Sequence, residues 1–379
     1  MKPLSLAVVR QRFARDGGAE RFVARMLEAL KGQDVRITLI TRQWEKAEGA
    51  DVVIVNPFYI GRLWRDWSFA RAVCRELRQR SFDLVQSHER IACCDIYRAG
   101  DGVHREWLRQ LARVRGFFGR LGLALNPYHC YTKRAEKKMF TSRRLRAVIC
   151  NSKMVRDEIR SCFDVPESKL HVIYNGVDRN DFHPGVRQYR DATRQQHGIP
   201  DAATVYLFVG SGFERKGVAA LLRALTRLPE QAYLLVVGRD RKLKHYMRLA
   251  QELGLDRRVI FAGRQADVLP YYGAADALVL PTLYDPFPNV IPEAMACGLP
   301  VIVSTKSGAA ELIKQGVDGL VCDALDVDAL AGHMRRLLAP EERNVLAAAA
   351  RTKSRQFEIK DMSGRFQDLY RRILSHRVA

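Results

Sequence analysis

Long apolar runs are missing from this chain. A membrane-spanning helix needs about 20 consecutive apolar residues, whereas stretches without a charged side chain reach about 12 residues, as at Leu121–Thr132 and Ala294–Thr305, and both contain a proline. The apolar run Leu4–Val9 is cut off by Arg10. It is too short for a secretion-signal core and suits a buried first strand, so the chain is expected to stay in the cytoplasm. Paired cysteine spacings are also missing. The eight cysteines stand at 74, 93, 94, 130, 150, 162, 297 and 322, and the adjacent Cys93 and Cys94 would form only a strained bridge, so reduced packing thiols are expected. There is no CxxC, and none of the nine histidines falls within a helical turn of another, so no metal site is expected. Acidic residues are scarce: 42 against 63 Lys and Arg leaves a net charge of +21. Such an excess points to a polyanionic partner, whether nucleic acid, an acidic membrane surface or a phosphorylated substrate.

What is present is an ordinary globular composition, 47% apolar and 28% charged, over 379 residues, enough for two or three domains. Short β-branched runs alternate with helical patterns throughout. They fall at Leu4–Val9, Val35–Thr41, Val52–Asn56, Asp83–Ser87, Ala147–Asn151 and His171–Asn175, then again at Val205–Val209, Tyr233–Val237, Val259–Ala262, Ala277–Leu280, Val301–Ser304 and Gly319–Cys322. This predicts an α/β chain with two doubly wound, Rossmann-like domains and a ligand cleft at the carboxyl ends of their strands. The expected limits are an N-terminal domain over 1–176, a polar linker over 177–203 with Pro184 and Pro200, and a second domain over 204–355. The tail 356–379 reads as a helix that packs back on the N-terminal domain, with Phe366, Leu369, Tyr370 and Ile373 on one side.

Three loops after strands suit an anion. In 15-RDGGAERF-22, Gly17 and Gly18 let a backbone approach a phosphate ahead of a helix, although a plain strand-to-helix turn uses glycine as well. In 208-FVGSGFERKGV-218, Gly210 and Gly212 open the loop, and Arg215 and Lys216 follow where a helix is expected to begin. Two cations there oppose the helix dipole unless an anion lies between them. In 284-YDPFPNVIPEAMACGLPVIVS-304, Pro288 suits the first turn of a helix ending at Gly298, whose first amides belong to Asn289 and Val290. Asp285 and Glu293 are placed to accept hydrogen bonds from sugar or ribose hydroxyls.

Together 205-VYLFVGSGFERKGVAALLRAL-225, the Asp-x7-Glu of Asp285 and Glu293, 172-VIYNGVDRNDF-182 and 307-SGAAELIKQGVDGLVCDALDVDAL-330 resemble the retaining glycosyltransferases of GT-B fold. That group takes in glycogen synthases, mannosyltransferases and, most similar here, the lipopolysaccharide core glucosyltransferases. The resemblance implies a nucleotide-sugar donor, of UDP type, and no metal. It implies that Arg215 and Lys216, with Gly17 and Gly18, hold the donor diphosphate, and that Glu293 binds the ribose; the loop glycine Gly212 and the amides of Asn289 and Val290 are read as further diphosphate contacts. Asp285 matches an acid that contacts the donor sugar, where relatives usually carry Glu, so the reach here is one methylene shorter. His88 in 87-SHER-90 matches a histidine beside the anomeric carbon, with a core or capping histidine as the alternative. Asp101 in 98-RAGDG-102 resembles an aspartate near the reacting sugars, against a turn-forming Asp before Gly102.

The charge is concentrated. Between Val103 and Lys153 there are 13 cations against the two acids Glu106 and Glu136. Within this insertion 104–125 has helical period: Trp107, Leu111, Val114, Phe118, Leu121 and Leu125 form a stripe opposite Arg105, Arg109, Arg113 and Arg120. With Phe117, these residues read as an interfacial helix for an anionic membrane, or as a surface helix with solvated arginines. The expected function is hexose transfer to a lipid-linked saccharide, of the lipopolysaccharide core, at the inner face of the cell membrane. A soluble or capsule-type transferase is the alternative. A nucleic-acid-binding protein fits less well, because no helix-turn-helix, zinc finger or aromatic RNA-binding strand is present.

Overall fold

The computed structural model describes residues 4–12, 35–44 and 49–375. The chain divides into two compact units, Met1–Asn175 with Ile359–Ala379, and Gly176–Glu358.

Unit 1 is built on seven parallel strands, β1 (Leu4–Val9), β2 (Val35–Thr41), β3 (Asp51–Ile54), β4 (Leu84–Ser87), β5 (Ile96–Arg98), β6 (Ala147–Cys150) and β7 (Leu170–Val172), in the order β3-β2-β1-β4-β5-β6-β7. Alternation along β1 splits its side chains between two cores. Ala7 and Val9 pack on one face with Phe69, Val73 and Leu77 of helix α1 (Gly61–Gln79). Leu6 and Val8 pack on the other with Met362, Phe366, Leu369, Tyr370 and Ile373 of the C-terminal helix Ile359–Ser375. Five such burials, each worth about 1.5–3 kcal/mol, make that helix part of unit 1.

Unit 2 has six parallel strands, β8 (Thr204–Val209), β9 (Ala232–Val237), β10 (Val259–Gly263), β11 (Ala277–Leu280), β12 (Val301–Ser304) and β13 (Leu320–Cys322), in the order β10-β9-β8-β11-β12-β13. In each sheet the strand order reverses beside the first strand, between β1 and β4 and between β8 and β11, and ligands of doubly wound sheets gather at such points. The loops there carry His88 in unit 1, and Arg215, Lys216 and Asp285 in unit 2.

Several expectations need correction. The segment 177–203 is not a bare linker. It forms Pro184–Tyr189 and Arg190–Gln196 helices within unit 2. Arg194, 1% exposed, donates to Asp276 Oδ2 at 2.7 Å and to the carbonyl of Ala203, so its polarity is spent on internal bonds. The limits of unit 2 are correspondingly Gly176 and Glu358, where the Val177 amide donates to the Phe357 carbonyl and Arg179 meets Glu358 at 2.8 Å. Two cysteines read as free thiols, Cys74 on α1 and Cys93 after β4, form a disulfide. The return of the chain along the sheet brings their Cα atoms to 5.8 Å across a separation of 19 residues, which spacing alone does not reveal.

The basic insertion is also broken. Instead of one helix over 104–125 there are α2 (His104–Arg113) and α3 (Phe117–Leu125), followed by α4 (Pro127–Phe140). Val114–Gly116 turns the corner, and Arg120 fastens it by donating from Nε to the carbonyls of Ala112 and Arg115. The expected stripe therefore divides. Leu111 is buried and Trp107 half-buried, whereas Phe117, Phe118 and Leu125 of α3 are 76%, 84% and 70% exposed.

Candidate active site

The unit 2 site starts from the loop after β8. Gly212 lies in the left-handed region at φ +76°, with open space where a Cβ would stand. A single helical turn, Phe213–Lys216, follows, and Gly217 ends it at φ +77°, where a Cβ would strike the Pro281 carbonyl at 1.9 Å. Glycine is required there. Arg215 and Lys216 thus stand at the last residues of one short turn, where cations suit the dipole, and just ahead of the helix Val218–Leu225.

The anion between them is supplied by the chain itself. Asp285 Oδ2 accepts from Lys216 Nζ at 2.7 Å and from Arg215 Nη1 at 3.0 Å. Arg215 also donates to the Tyr284 carbonyl, and its own carbonyl accepts from the Leu283 amide and the Thr282 hydroxyl. Asp285 is held in turn by backbone bonds to Lys306 and Gly308. Burial alone would push the Asp285 carboxyl up, but the Lys216 and Arg215 charges outweigh it and hold the carboxyl below its ordinary value. Burial also lowers the Lys216 ammonium, and the Asp285 charge offsets part of that shift. Two cations share this one carboxylate through direct bonds.

Glu293 sits on the helix Val290–Ala296, with Asn289 at its N-cap and Pro288 one residue earlier, outside the helix rather than in its first turn. The carboxylate is 1% exposed, accepts from the Tyr272 hydroxyl at 3.0 Å, and lies near enough to act on Lys216. The structure therefore gathers Arg215, Lys216, Asp285 and Glu293 into one charged cluster, with Gly212, Asn289 and Val290 on the elements that carry it. Tyr272 was missed. Its hydroxyl resembles that of any core tyrosine until the fold places Glu293 opposite.

In unit 1, His88 follows β4 and is 4% exposed, with its amide donating to the Val9 carbonyl. Burial, reinforced by the Arg98 and Arg10 charges, drives its imidazole well below the usual value, so it is neutral at working pH. His88 Nε2 lies 3.1 Å from Gln86 Nε2, and Gln86 Oε1 accepts from the Tyr370 hydroxyl at 2.7 Å. An amide nitrogen donates, so this ring nitrogen accepts and the proton sits on Nδ1. The C-terminal helix thus reaches His88 through one side chain, a link that 284 residues of separation hide from the sequence. Buried Arg98 donates to Asn175 at 2.6 Å, and burial with the Arg10 charge brings it down to about 9. Asp101 is half exposed on its turn, 3.7 Å from Arg90. Beside the His88 loop lies a pocket lined by Gln11, Asp66, Glu89, Arg90, Tyr131 and Thr132 among the described residues. Gly17 and Gly18 lie outside the described residues.

Of the candidate membrane residues, Arg109 pairs with Glu106 at 2.7 Å, Arg113 donates to Gln110, and Arg105 is exposed. No residue of α3 is buried. Among the described residues no group of three or more His, Cys, Asp or Glu side chains is placed to hold a metal ion, and no helix is long and apolar enough to cross a membrane.

Comparison with known proteins finds glycosyltransferases on both halves of the chain. Residues 189–353 match the glycosyl transferases group 1 family, and residues 16–181 match glycosyltransferase family 4. The two glycosyltransferase models thus divide the chain between them, group 1 on the second half and family 4 on the first. Its match to a glycosyltransferase of Methanocaldococcus jannaschii, 34% identical, spans 51% of this chain and only about half, 50%, of that relative's length. The lipopolysaccharide core biosynthesis glycosyltransferase LpsE of Rhizobium meliloti is 26% identical, over 86% of this chain and 87% of that one. Among solved structures, WaaG, a glycosyltransferase involved in lipopolysaccharide biosynthesis, superposes with a TM-score of 0.84 at 22% identity, covering 96% of this chain and 99% of the other. Anabaena HepE in complex with UDP-glucose superposes at 0.74, with 20% identity, covering 96% and 98%. The fold is GT-B, two Rossmann-like domains with parallel sheets.

Proposed function

We propose that the protein is a retaining hexosyltransferase. It takes a sugar from a nucleotide diphosphate donor, of UDP type, and passes it to a lipid-linked saccharide of the lipopolysaccharide core at a membrane surface. The observation that carries this reading is the Arg215–Asp285–Lys216 cluster, two cations sharing one buried carboxylate at the strand-order reversal of unit 2. A diphosphate is bound by the Arg215 and Lys216 cations, which the carboxylate holds in place. As the glycosidic bond to it breaks, charge builds on its oxygens, and fixed cations stabilise that charge without reorganising. They fill the place of a metal ion, which the proposed reaction does not need. Glu293, held by Tyr272, accepts ribose hydroxyls, and Asp285, one methylene shorter than Glu, positions the donor sugar.

Among the candidate residues no second carboxylate suits a double displacement, so the acceptor hydroxyl attacks from the face the diphosphate leaves. The departing phosphate oxygen takes the hydroxyl proton, retaining configuration. Neutral His88 acts as a hydrogen-bonding group for the reacting sugar rather than as a cation. The names of LpsE and WaaG support a lipopolysaccharide acceptor, and the HepE complex supports UDP. The exposed Phe117, Phe118, Leu121 and Leu125 among the arginines of the insertion support docking on an anionic leaflet at the inner face of the membrane.

A panel of UDP-, GDP- and ADP-sugars, read by thermal shift and by release of nucleotide diphosphate, tests the donor. Lys216→Ala and Arg215→Ala are each expected to lose about 10²–10³ in turnover with the fold intact. Near-normal turnover in both variants would remove the donor site from this cluster.

A further inference from the structure

A helix covering a doubly wound sheet ordinarily turns one apolar face inward and a polar face to water. Helix α1 is apolar on both. Its inner residues Phe69, Val73 and Leu77 are 0%, 0% and 7% exposed. On the opposite side Leu63, Trp64 and Trp67, with Ile60 just ahead of the helix, follow helical spacing and are 37%, 41%, 44% and 68% exposed. Phe58, 72% exposed, packs edge-on against Trp64 with ring centroids 5.7 Å apart. Further along the same outer face come the exposed Arg71, Arg75 and Arg78, and the Arg71 guanidinium lies 5.7 Å from the Trp67 ring. The acids of this helix are half-buried and engaged: Asp66 by Gln11 and Tyr128, Glu76 by Arg80. A contiguous aromatic patch with a cationic flank marks an interaction surface rather than scattered apolar exposure.

We propose that this outer face of α1 is a second lipid-docking surface, its aromatics entering the headgroup region and its arginines meeting lipid phosphates. The proposal deepens the membrane reading above and rests on it. Charge chooses the occupant. Tryptophan and arginine are the side chains an anionic interface accepts, whereas a second copy of this +21 chain would set arginine against arginine. Continuity adds to this. The Tyr128 hydroxyl, at the start of α4, donates to Asp66 of α1 at 3.2 Å, and the Arg62 charge of α1 acts on His129. Because α4 begins where α3 ends, with no buried residue in α3, α4 links the two apolar surfaces within unit 1.

The test uses the full chain and vesicles of phosphatidylcholine with phosphatidylglycerol. The double variant Trp64→Ser, Trp67→Ser is expected to weaken partition by about tenfold or more, the loss of about 1.4 kcal/mol, and Phe117→Ser, Phe118→Ser by a similar factor. Emission of a Trp107→Phe variant, whose remaining tryptophans are buried Trp44 and exposed Trp64 and Trp67, is expected to shift to the blue and be quenched by brominated lipid. This reading needs no change in α1. Unchanged partition of the Trp64, Trp67 variant while the Phe117, Phe118 variant loses binding would overturn the α1 proposal and leave the membrane reading standing. No partition of the wild type would overturn both. A concentration-dependent dimer dissolved by Trp64→Ser, Trp67→Ser, without partition, would give the face to a second copy.

Discussion

Two regions of this molecule are rich in arginine and lysine, and they work by different physics. Around Arg215 and Lys216 the cations share one carboxylate: Lys216 is 8% exposed, and its pKa is shifted by burial and by its partner. In the insertion from His104 to Leu125 the arginines are mostly exposed, and Arg109 and Arg113 bond to near neighbours, Glu106 and Gln110. Sequence composition counts both alike. Burial separates a pair whose removal changes chemistry from a group whose members act only in sum, through a field that salt screens.

The largest expected effect lies on the buried side of that comparison. Lys216→Ala is expected to cost about 10²–10³ in turnover, with donor binding weakened at all ionic strengths tested. If turnover instead recovered at high salt, the pair would behave as an exposed one and the contrast would fail. Next comes a buried ion network with no proposed chemistry. Arg194→Ala takes the 2.7 Å partner from Asp276, 3% exposed, which keeps Arg190 at 3.0 Å and the Val205 amide, and it strips the Ala203 and Ala274 carbonyls of their donor, at an expected cost of about 1–3 kcal/mol in denaturant unfolding of the full chain. A loss below about 1 kcal/mol would place it with the surface pairs.

Acid sharpens the comparison further. His88 and His104 are both buried and titrate below the ordinary value, burial being the largest cause, and His104 falls to about 3. The folded state therefore binds fewer protons than the unfolded one. The stabilisation is complete above the unfolded value of about 6.5 and is lost as pH falls below it, by about 1.4 kcal/mol per pH unit for each histidine. Unfolding followed from neutral pH downward should show this slope, and His104→Gln should flatten it; an unchanged slope would contradict the assignment. The smallest effect belongs to the exposed region. Arg105→Ala, at an exposed position, should cost less than about 1 kcal/mol of stability and only modestly weaken vesicle binding, and a large loss of either would show that single charges matter there too.

Most of the sheet architecture is legible in the sequence, because a buried parallel strand has to be an uninterrupted β-branched run. The exception is instructive. Ile96–Arg98 is a three-residue strand that ends in a buried arginine, so neither length nor polarity announces it. The break between α2 and α3 was hidden for a related reason: the stripe of Trp107, Leu111, Phe118 and Leu125 keeps helical period straight through the corner at Val114–Gly116, and only Gly116 and the Arg120 bonds mark it. In the candidate site, the residue types Arg215, Lys216, Asp285 and Glu293 could be picked out from loops after strands. Their pairing could not, since Asp285 lies 70 residues from Arg215. The site links of Tyr272, Gln86 and Tyr370 were hidden because each acts through another side chain.

The most direct test of the central claim, that Arg215 and Lys216 hold the donor diphosphate, is calorimetric binding of UDP-glucose to the wild type and to Lys216→Ala under identical buffer. The expected result is saturable binding to the wild type and a loss of at least about tenfold, or about 1.4 kcal/mol, in the variant, with its unfolding transition preserved. Equal binding by the two proteins would contradict the account.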